Sequence, residues 1–295
     1  MVIERALEKL KQAQAAKTGT ASTASRPRAT VSHPARRESD SPAPQMAAQI
    51  PAFPVLACDE AIAEERRVML PTSPLAENAP ASAAYRMLRT RFLQKLRSNR
   101  WTTLAITSPG ASEGKSVTAL NLALSLARDR TSHVFLLDLD MRNPSICAYL
   151  GVTPPRNLLE YFTGEGEPAD VFFSIGVQNL YLAGSTLQTP LASELLAGER
   201  FEEIIAYIKS VAPNPIIIID LPPLLVTDEA LMIAPRVDAT ALVVSEGRTR
   251  RDSLLRTRQL LAEFTFAGVI LNRSHERFGA DAYYGYHSNY GERKA

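Results

Sequence analysis

Two cysteines in 295 residues, Cys58 and Cys147, are too few for a disulfide framework, and neither sits at metal-ligand spacing. The four histidines, His33, His133, His275 and His287, are scattered, which favours surface or loop positions over a ligand cluster. No apolar run approaches the roughly 18–20 residues that a membrane-spanning helix needs. The first residues carry charges every few positions around no apolar segment, so no secretory leader is expected. Net charge is only +2, from 33 basic and 31 acidic residues, which gives no basis for binding a bulk polyanion such as nucleic acid. These absences leave a cytoplasmic chain, long enough for one α/β unit of about 200 residues with an appended arm.

What is present begins with a loop. Thr103–Thr107 is a short apolar, β-rich run, and the sequence from Lys115 onward has helical apolar spacing. Between them lies Gly110-Ala111-Ser112-Glu113-Gly114-Lys115-Ser116. Strand, glycine loop and helix follow in the order of a phosphate-binding loop, whose backbone N–H groups cradle phosphate with no side chain in the way. Lys115 is expected to reach the β- and γ-phosphates, and the Ser116 hydroxyl to ligate Mg²⁺. One departure is Pro109, where the usual spacing puts a glycine; proline removes an amide donor and restricts Ser108 to extended geometry.

Two further strand ends carry carboxylates. Pro215–Asp220 is a continuous apolar run ending in Asp220, followed by Leu221-Pro222-Pro223. Such a run reads as a strand buried on both faces of a parallel sheet. A carboxylate at its C-terminal end sits where ligands bind in open α/β sheets, and Asp220 is the natural Walker B acid for Mg²⁺. Val134 to Arg142 is a second apolar strand, with Asp138, Asp140 and Arg142 at its exit. By itself Asp-x-Asp-x-Arg is a solvated strand exit; beside a phosphate loop it is a candidate site.

Together these elements resemble the bacterial tyrosine kinases of exopolysaccharide and capsule synthesis, a family of MinD/ParA-like P-loop ATPases. The loop Gly110–Ser116, the Asp138–Arg142 segment (the family's Walker A′ motif) and Ile219–Pro223 carry the match. Asn143–Ser145, Pro190–Leu196, Val226–Asp228 and Val269–Arg273 add to it, and the likeness spans about residues 70–295. The signatures of eukaryotic protein kinases, His-Arg-Asp and Asp-Phe-Gly, are absent. The opening Met1–Leu10 resembles the start of exosortase-associated tyrosine autokinases.

The resemblance implies a doubly wound, mostly parallel sheet flanked by helices, and ATP- and Mg²⁺-dependent transfer of phosphate to tyrosine. It puts Asp140 and Asp220 around the metal with Ser116, and makes Asp138 the group that takes the phenol proton. Arg142 either contacts phosphate or pairs with Asp140, and Asn272, at a strand end, either contacts adenine or is plain turn chemistry. The acceptors it implies are Tyr283, Tyr284, Tyr286 and Tyr290, four of the nine tyrosines gathered in the last thirteen residues. Glycine, Asn and Ser between them give no period, so residues 276–295 read as a mobile tail, which a stacking surface for a partner would also explain.

Ahead of a domain over 79–275, residues 1–16 read as an amphipathic helix that docks on a protein partner or lies on a membrane surface, the mixed charge favouring the partner, and 17–78 as a disordered tether. Ala81 to Leu96 reads as a helix with an arginine stripe. Arg86 and Arg89 match a family motif that contacts the neighbouring subunit of a ring, but its glutamate position holds Ala83. The implied partners are a transmembrane, chain-length-determinant-type activator that recruits the chain to the inner membrane face, further copies of the chain, and a cognate tyrosine phosphatase. The sequence leaves three functions open. They are an autokinase of the tail that regulates polysaccharide polymerisation and export, a MinD/ParA-like positioning ATPase, and a non-catalytic nucleotide-gated adaptor marked by Pro109 and Ala83.

Overall fold

A computed structural model describes residues 50–74 and 80–274. The amphipathic segment 1–16 and the tail 276–295, with its four tyrosines, lie outside the described residues. Six strands form one sheet: β1 (Thr103–Thr107), β2 (His133–Asp138), β3 (Leu180–Ala183), β4 (Pro215–Asp220), β5 (Ala239–Ser245) and β6 (Phe266–Asn272). They lie in the order β3-β2-β4-β1-β5-β6, with every neighbouring pair parallel. The doubly wound α/β architecture expected of the sequence is therefore observed.

The continuous apolar runs go to the middle of the sheet because only there are both faces covered. Successive side chains of a strand point to opposite faces. Leu104, Ile106, Leu136, Ile216 and Ile218 accordingly join one buried cluster, and Ala105, Phe135, Leu137, Ile217 and Ile219 the other. Each fully buried Leu or Ile of this set contributes about 1.5–3 kcal/mol relative to exposure. A single Ile218→Asp change would bury an unpaired charge in the first cluster and break it.

Nine helices, α1 (Glu60–Glu65), α2 (Pro80–Asn99), α3 (Lys115–Leu126), α4 (Ile146–Leu150), α5 (Leu158–Phe162), α6 (Ala192–Ala197), α7 (Arg200–Val211), α8 (Glu229–Ile233) and α9 (Arg251–Leu260), are found among the described residues. The central one is α3, buried along almost its whole length. None of them is long and apolar enough to cross a membrane.

The domain starts earlier than the expected boundary near 79. Residues 50–70 belong to the packed body: Val68 is fully buried, with Ala63, Met69 and Leu70 also inside. Leu56 N–H donates to Ser174 O at 2.8 Å. Asp59 caps α1 by accepting from Ile62 N–H at 3.0 Å. Asn121, buried on α3, ties the segment down at both ends of its amide. Its Oδ1 accepts from Met69 N–H at 2.8 Å, and its Nδ2 donates to Arg67 O at 2.9 Å. The tether reading fails here because an Ala- and Pro-rich stretch with no sustained period can still be held by a few apolar anchors and one buried amide.

Candidate active site

The site lies at the C-terminal ends of three adjacent strands, β2, β4 and β1. In the register of β2 and β4, Asp138 is the direct partner of Asp220. Neighbouring strands are about 4.8 Å apart, so the two carboxylates face each other by construction. Beside them the chain leaves β1 through Ser108–Gly114 and enters α3 at Lys115. Gly114 holds φ +90°, and a Cβ there would lie 2.1 Å from Asn272 Nδ2, so only glycine fits. Ser112, at φ 61°, shares the left-handed region without that excuse. Ser108 Oγ donates to Gly110 O at 2.7 Å, and Leu225 N–H donates to Pro109 O at 3.2 Å. Pro109 thus sits buried against the turn that follows β4, which anchors its carbonyl.

Lys115 reaches into the strand ends. Its ammonium lies 2.8 Å from Asp140 Oδ2, 3.3 Å from Asp220 Oδ2 and 3.0 Å from Ser116 Oγ. Burial alone would pull the lysine down, but Asp220, Asp140 and Asp138 outweigh it and hold the ammonium above its usual range. The reciprocal effect appears on Asp138. Burial first, and the facing Asp220 second, push its carboxyl up to about 7, against the opposing pull of Lys115 and two backbone N–H groups. Asp220 is raised too, chiefly by burial, against the opposing attraction of Lys115. Three carboxyl groups crowd one lysine in a buried site, and burial drives two of them, Asp138 and Asp220, toward the neutral form.

Asp138 is the best fixed of the three. Its Oδ2 accepts from Ser145 N–H at 2.8 Å and Ile146 N–H at 2.9 Å, the first amides of α4, and Oδ1 accepts from Asp140 N–H at 3.3 Å. The α4 entrance therefore satisfies orphan helix donors on the carboxylate itself.

The structure brings Lys115, Ser116, Asp138, Asp140 and Asp220 together. Arg142 lies apart from them: it pairs through Nε with Glu229 Oε1 at 2.5 Å, and not with Asp140. Glu229 is fully buried as the first residue of α8, and the exposed arginine is held to it. Asn272 stands against the loop, its Nδ2 donating to Glu113 O at 2.9 Å while its Oδ1 accepts from Arg273 N–H at 2.8 Å. On α2, Arg86 is exposed and donates to Ser82 Oγ at 2.8 Å, whereas Arg89 turns inward to Ser125 O at 3.3 Å. Sequence reasoning missed Glu229, Arg273 and Asn121. Arg273 could have been found as the neighbour of Asn272; nothing local marks a glutamate 87 residues from its arginine.

No family model matches the chain. Among curated proteins it is similar to the tyrosine-protein kinase CpsD of Streptococcus agalactiae, with 30% identity over 230 residues, 77% of this chain and 97% of that protein. The chain belongs to the bacterial tyrosine kinase family. It is a protein-tyrosine kinase. The tyrosine-protein kinase YwqD of Bacillus subtilis is 27% identical over 232 residues, 77% of this chain and 94% of that one. Of solved structures, the BceF tyrosine kinase domain superposes with a TM-score of 0.60 at 25% identity, covering 74% of this kinase and 91% of that chain. The cluster around Lys115 is thus the candidate active site of a bacterial tyrosine kinase.

Proposed function

We propose that this kinase uses ATP and Mg²⁺ to phosphorylate tyrosines of its own C-terminal segment, Tyr283, Tyr284, Tyr286 and Tyr290. The observation that carries the reading is the convergence of Asp140 and Asp220 on Lys115, with Asp138 paired to Asp220 beside them, at a glycine loop that starts a buried helix.

A divalent cation fits the residues present. Ser116 Oγ, Asp140 and Asp220 already surround a positive group, and all are oxygen donors. One or two carboxylates with substrate phosphate oxygens and waters are what Mg²⁺ takes, rather than an all-protein cage. Bound there, the ion would neutralise charge on the transferring phosphoryl group. Lys115 and the amides of Gly110 to Ser116 hold the β- and γ-phosphates. Asn272 retains one amide hydrogen and one lone pair for an adenine edge.

The chemistry left to the protein is positioning and one proton. The phenol oxygen forms a bond to the γ-phosphorus, the bond from that phosphorus to the ADP oxygen breaks, and the phenol proton passes to Asp138. A free phenol has a pKa of about 10, so attack near neutrality needs a base at hand. A carboxyl held near 7 is matched to that task, whereas an ordinary aspartate is too weak a base. Water attack would instead give the positioning-ATPase reading, which no feature of the described residues favours.

Beyond the chemistry, we assign Arg86 and Arg89 to contacts between copies of the chain, in a ring. A transmembrane chain-length-determinant-type partner would activate the kinase and hold it at the inner membrane face. Phosphorylation of the tail would regulate exopolysaccharide or capsule polymerisation and export, reversed by a cognate tyrosine phosphatase. The test is incubation of the full chain with γ-labelled ATP and Mg²⁺. Label on tail tyrosines that Lys115→Ala abolishes supports the proposal. Phosphate release with an unlabelled tail supports a positioning ATPase, and nucleotide binding with neither supports an adaptor.

A further inference from the structure

The loop that cradles phosphate does not stand alone: its outer turn is tied to the end of β6. A phosphate loop works only if its N–H groups face the anion, which obliges the carbonyls of the same turn to face away. Here the Ser112 and Glu113 carbonyls are both taken. Asn272 Nδ2 donates to Glu113 O, and Arg273 Nη2 donates to Ser112 O, each at 2.9 Å. The pair is itself braced. Arg273 N–H donates to Asn272 Oδ1, which fixes the amide so that its NH₂ points at the loop. Arg273 holds φ 56° and Ser112 φ 61°, both unusual for residues with a Cβ. Two such residues facing each other across one hydrogen bond mark a join that the surroundings enforce. Gly114 leaves room for the amide, since any Cβ there would collide with Asn272. On the other side, Glu113 leans toward Thr249 and the Gly110 amide, and its Oε2 is buried with no hydrogen-bond partner among the described residues. The turn is thus pinned through its backbone by β6, and the Glu113 carboxyl, beside Thr249, the Gly110 amide and Arg273, faces the same join.

We propose that Arg273 is a positioning residue for the nucleotide phosphates, acting through the Ser112 carbonyl. It touches neither nucleotide nor acceptor. Its guanidinium holds the carbonyl of Ser112 outward, so that the following amides stay aimed at the β- and γ-phosphates, and its charge partly cancels the carbonyl's negative end beside an incoming polyanion. Lysine can keep one such donor but not the fixed fork. The side chain itself is exposed. The role rests on the nucleotide reading of the loop, which ATP binding by the unaltered chain tests separately.

The experiment is calorimetric titration of the full chain with ATP and with ADP, for wild type, Arg273→Ala and Arg273→Lys, with the melting temperature of each. Tail labelling at saturating ATP gives kcat. For Arg273→Ala the expected result is a loss of affinity of about tenfold for both nucleotides, the scale of one charge-assisted hydrogen bond. Melting temperature and kcat at saturation should be unchanged, with partial recovery in Arg273→Lys. Wild-type ATP binding with equal affinity in Arg273→Ala overturns the positioning role. So does a loss of affinity that tracks a fall in melting temperature and is not relieved by lysine. No ATP binding by wild type would instead overturn the nucleotide reading beneath it.

Discussion

Replacing Asp138 by asparagine should stabilise the protein near pH 8 while impairing it. In the folded state the carboxyl is held near 7 rather than at 3.8. At 1.36 kcal/mol per pH unit that rise amounts to about 4 kcal/mol against the charged form. The folded pKa lies above the unfolded one, so the fold binds this proton more tightly than the open chain does. The penalty is absent below about pH 4, grows as pH rises, and is complete above about pH 7. Asparagine removes the charge and keeps an oxygen for the Ser145 and Ile146 amides. Its NH₂ faces the Asp140 N–H, so the 3.3 Å bond is lost, at a cost of about 1–2 kcal/mol. The net expectation is a gain of about 2 kcal/mol at pH 8, or a melting temperature higher by about 4–8 °C. At pH 4.5 the gain should vanish and the variant should be slightly the less stable. Thermal melts of both proteins across this range decide it. If Asp138→Asn is destabilised equally at pH 4.5 and pH 8, the charge carries no penalty and the reasoning about the Asp138–Asp220 pair fails.

Three further outcomes follow from the contacts. Gly114→Ala puts a methyl 2.1 Å from Asn272 Nδ2 at φ +90°, and should lose ATP binding and about 2 kcal/mol or more of stability, read by calorimetry and urea unfolding. Asn121→Ala strands Met69 N–H and Arg67 O, lowering stability by about 2–4 kcal/mol and opening residues 50–74 to limited proteolysis before the rest. Arg142→Ala leaves buried Glu229 uncompensated and should lower the melting temperature, whereas the double change with Glu229→Gln should restore most of it.

How much of this was legible beforehand depends on range along the chain. The strand–loop–helix at 103–126 and the run ending in Asp220 declare themselves, because burial on both sheet faces demands unbroken apolar residues. Since β2 and β4 end in step, Asp138 and Asp220 meeting is a consequence of parallel register once the strand order is known. The order itself is not local: nothing in residues 133–138 says that β4 lies between them and β1. Short β3 offers too few residues for a period. Residues 50–70 escape a sequence reading because a segment held by Val68, Leu70 and one asparagine amide looks, in composition, like the Ala-, Ser- and Pro-rich sequence before it. The grip of Arg142 on Glu229 and of Arg273 on Ser112 joins residues 87 and 161 apart, a separation that no motif encodes.

The central claim is that this site moves phosphate onto a phenol and not onto water. The direct measurement is a single-turnover reaction of the full chain with ATP and Mg²⁺, counting ADP, free phosphate and phosphotyrosine in peptides from residues 276–295. The account predicts one tail phosphotyrosine for each ADP formed, little free phosphate, and loss of transfer with retained ATP binding in Asp138→Asn. ADP matched by free phosphate, with Tyr283, Tyr284, Tyr286 and Tyr290 unmodified, would contradict it.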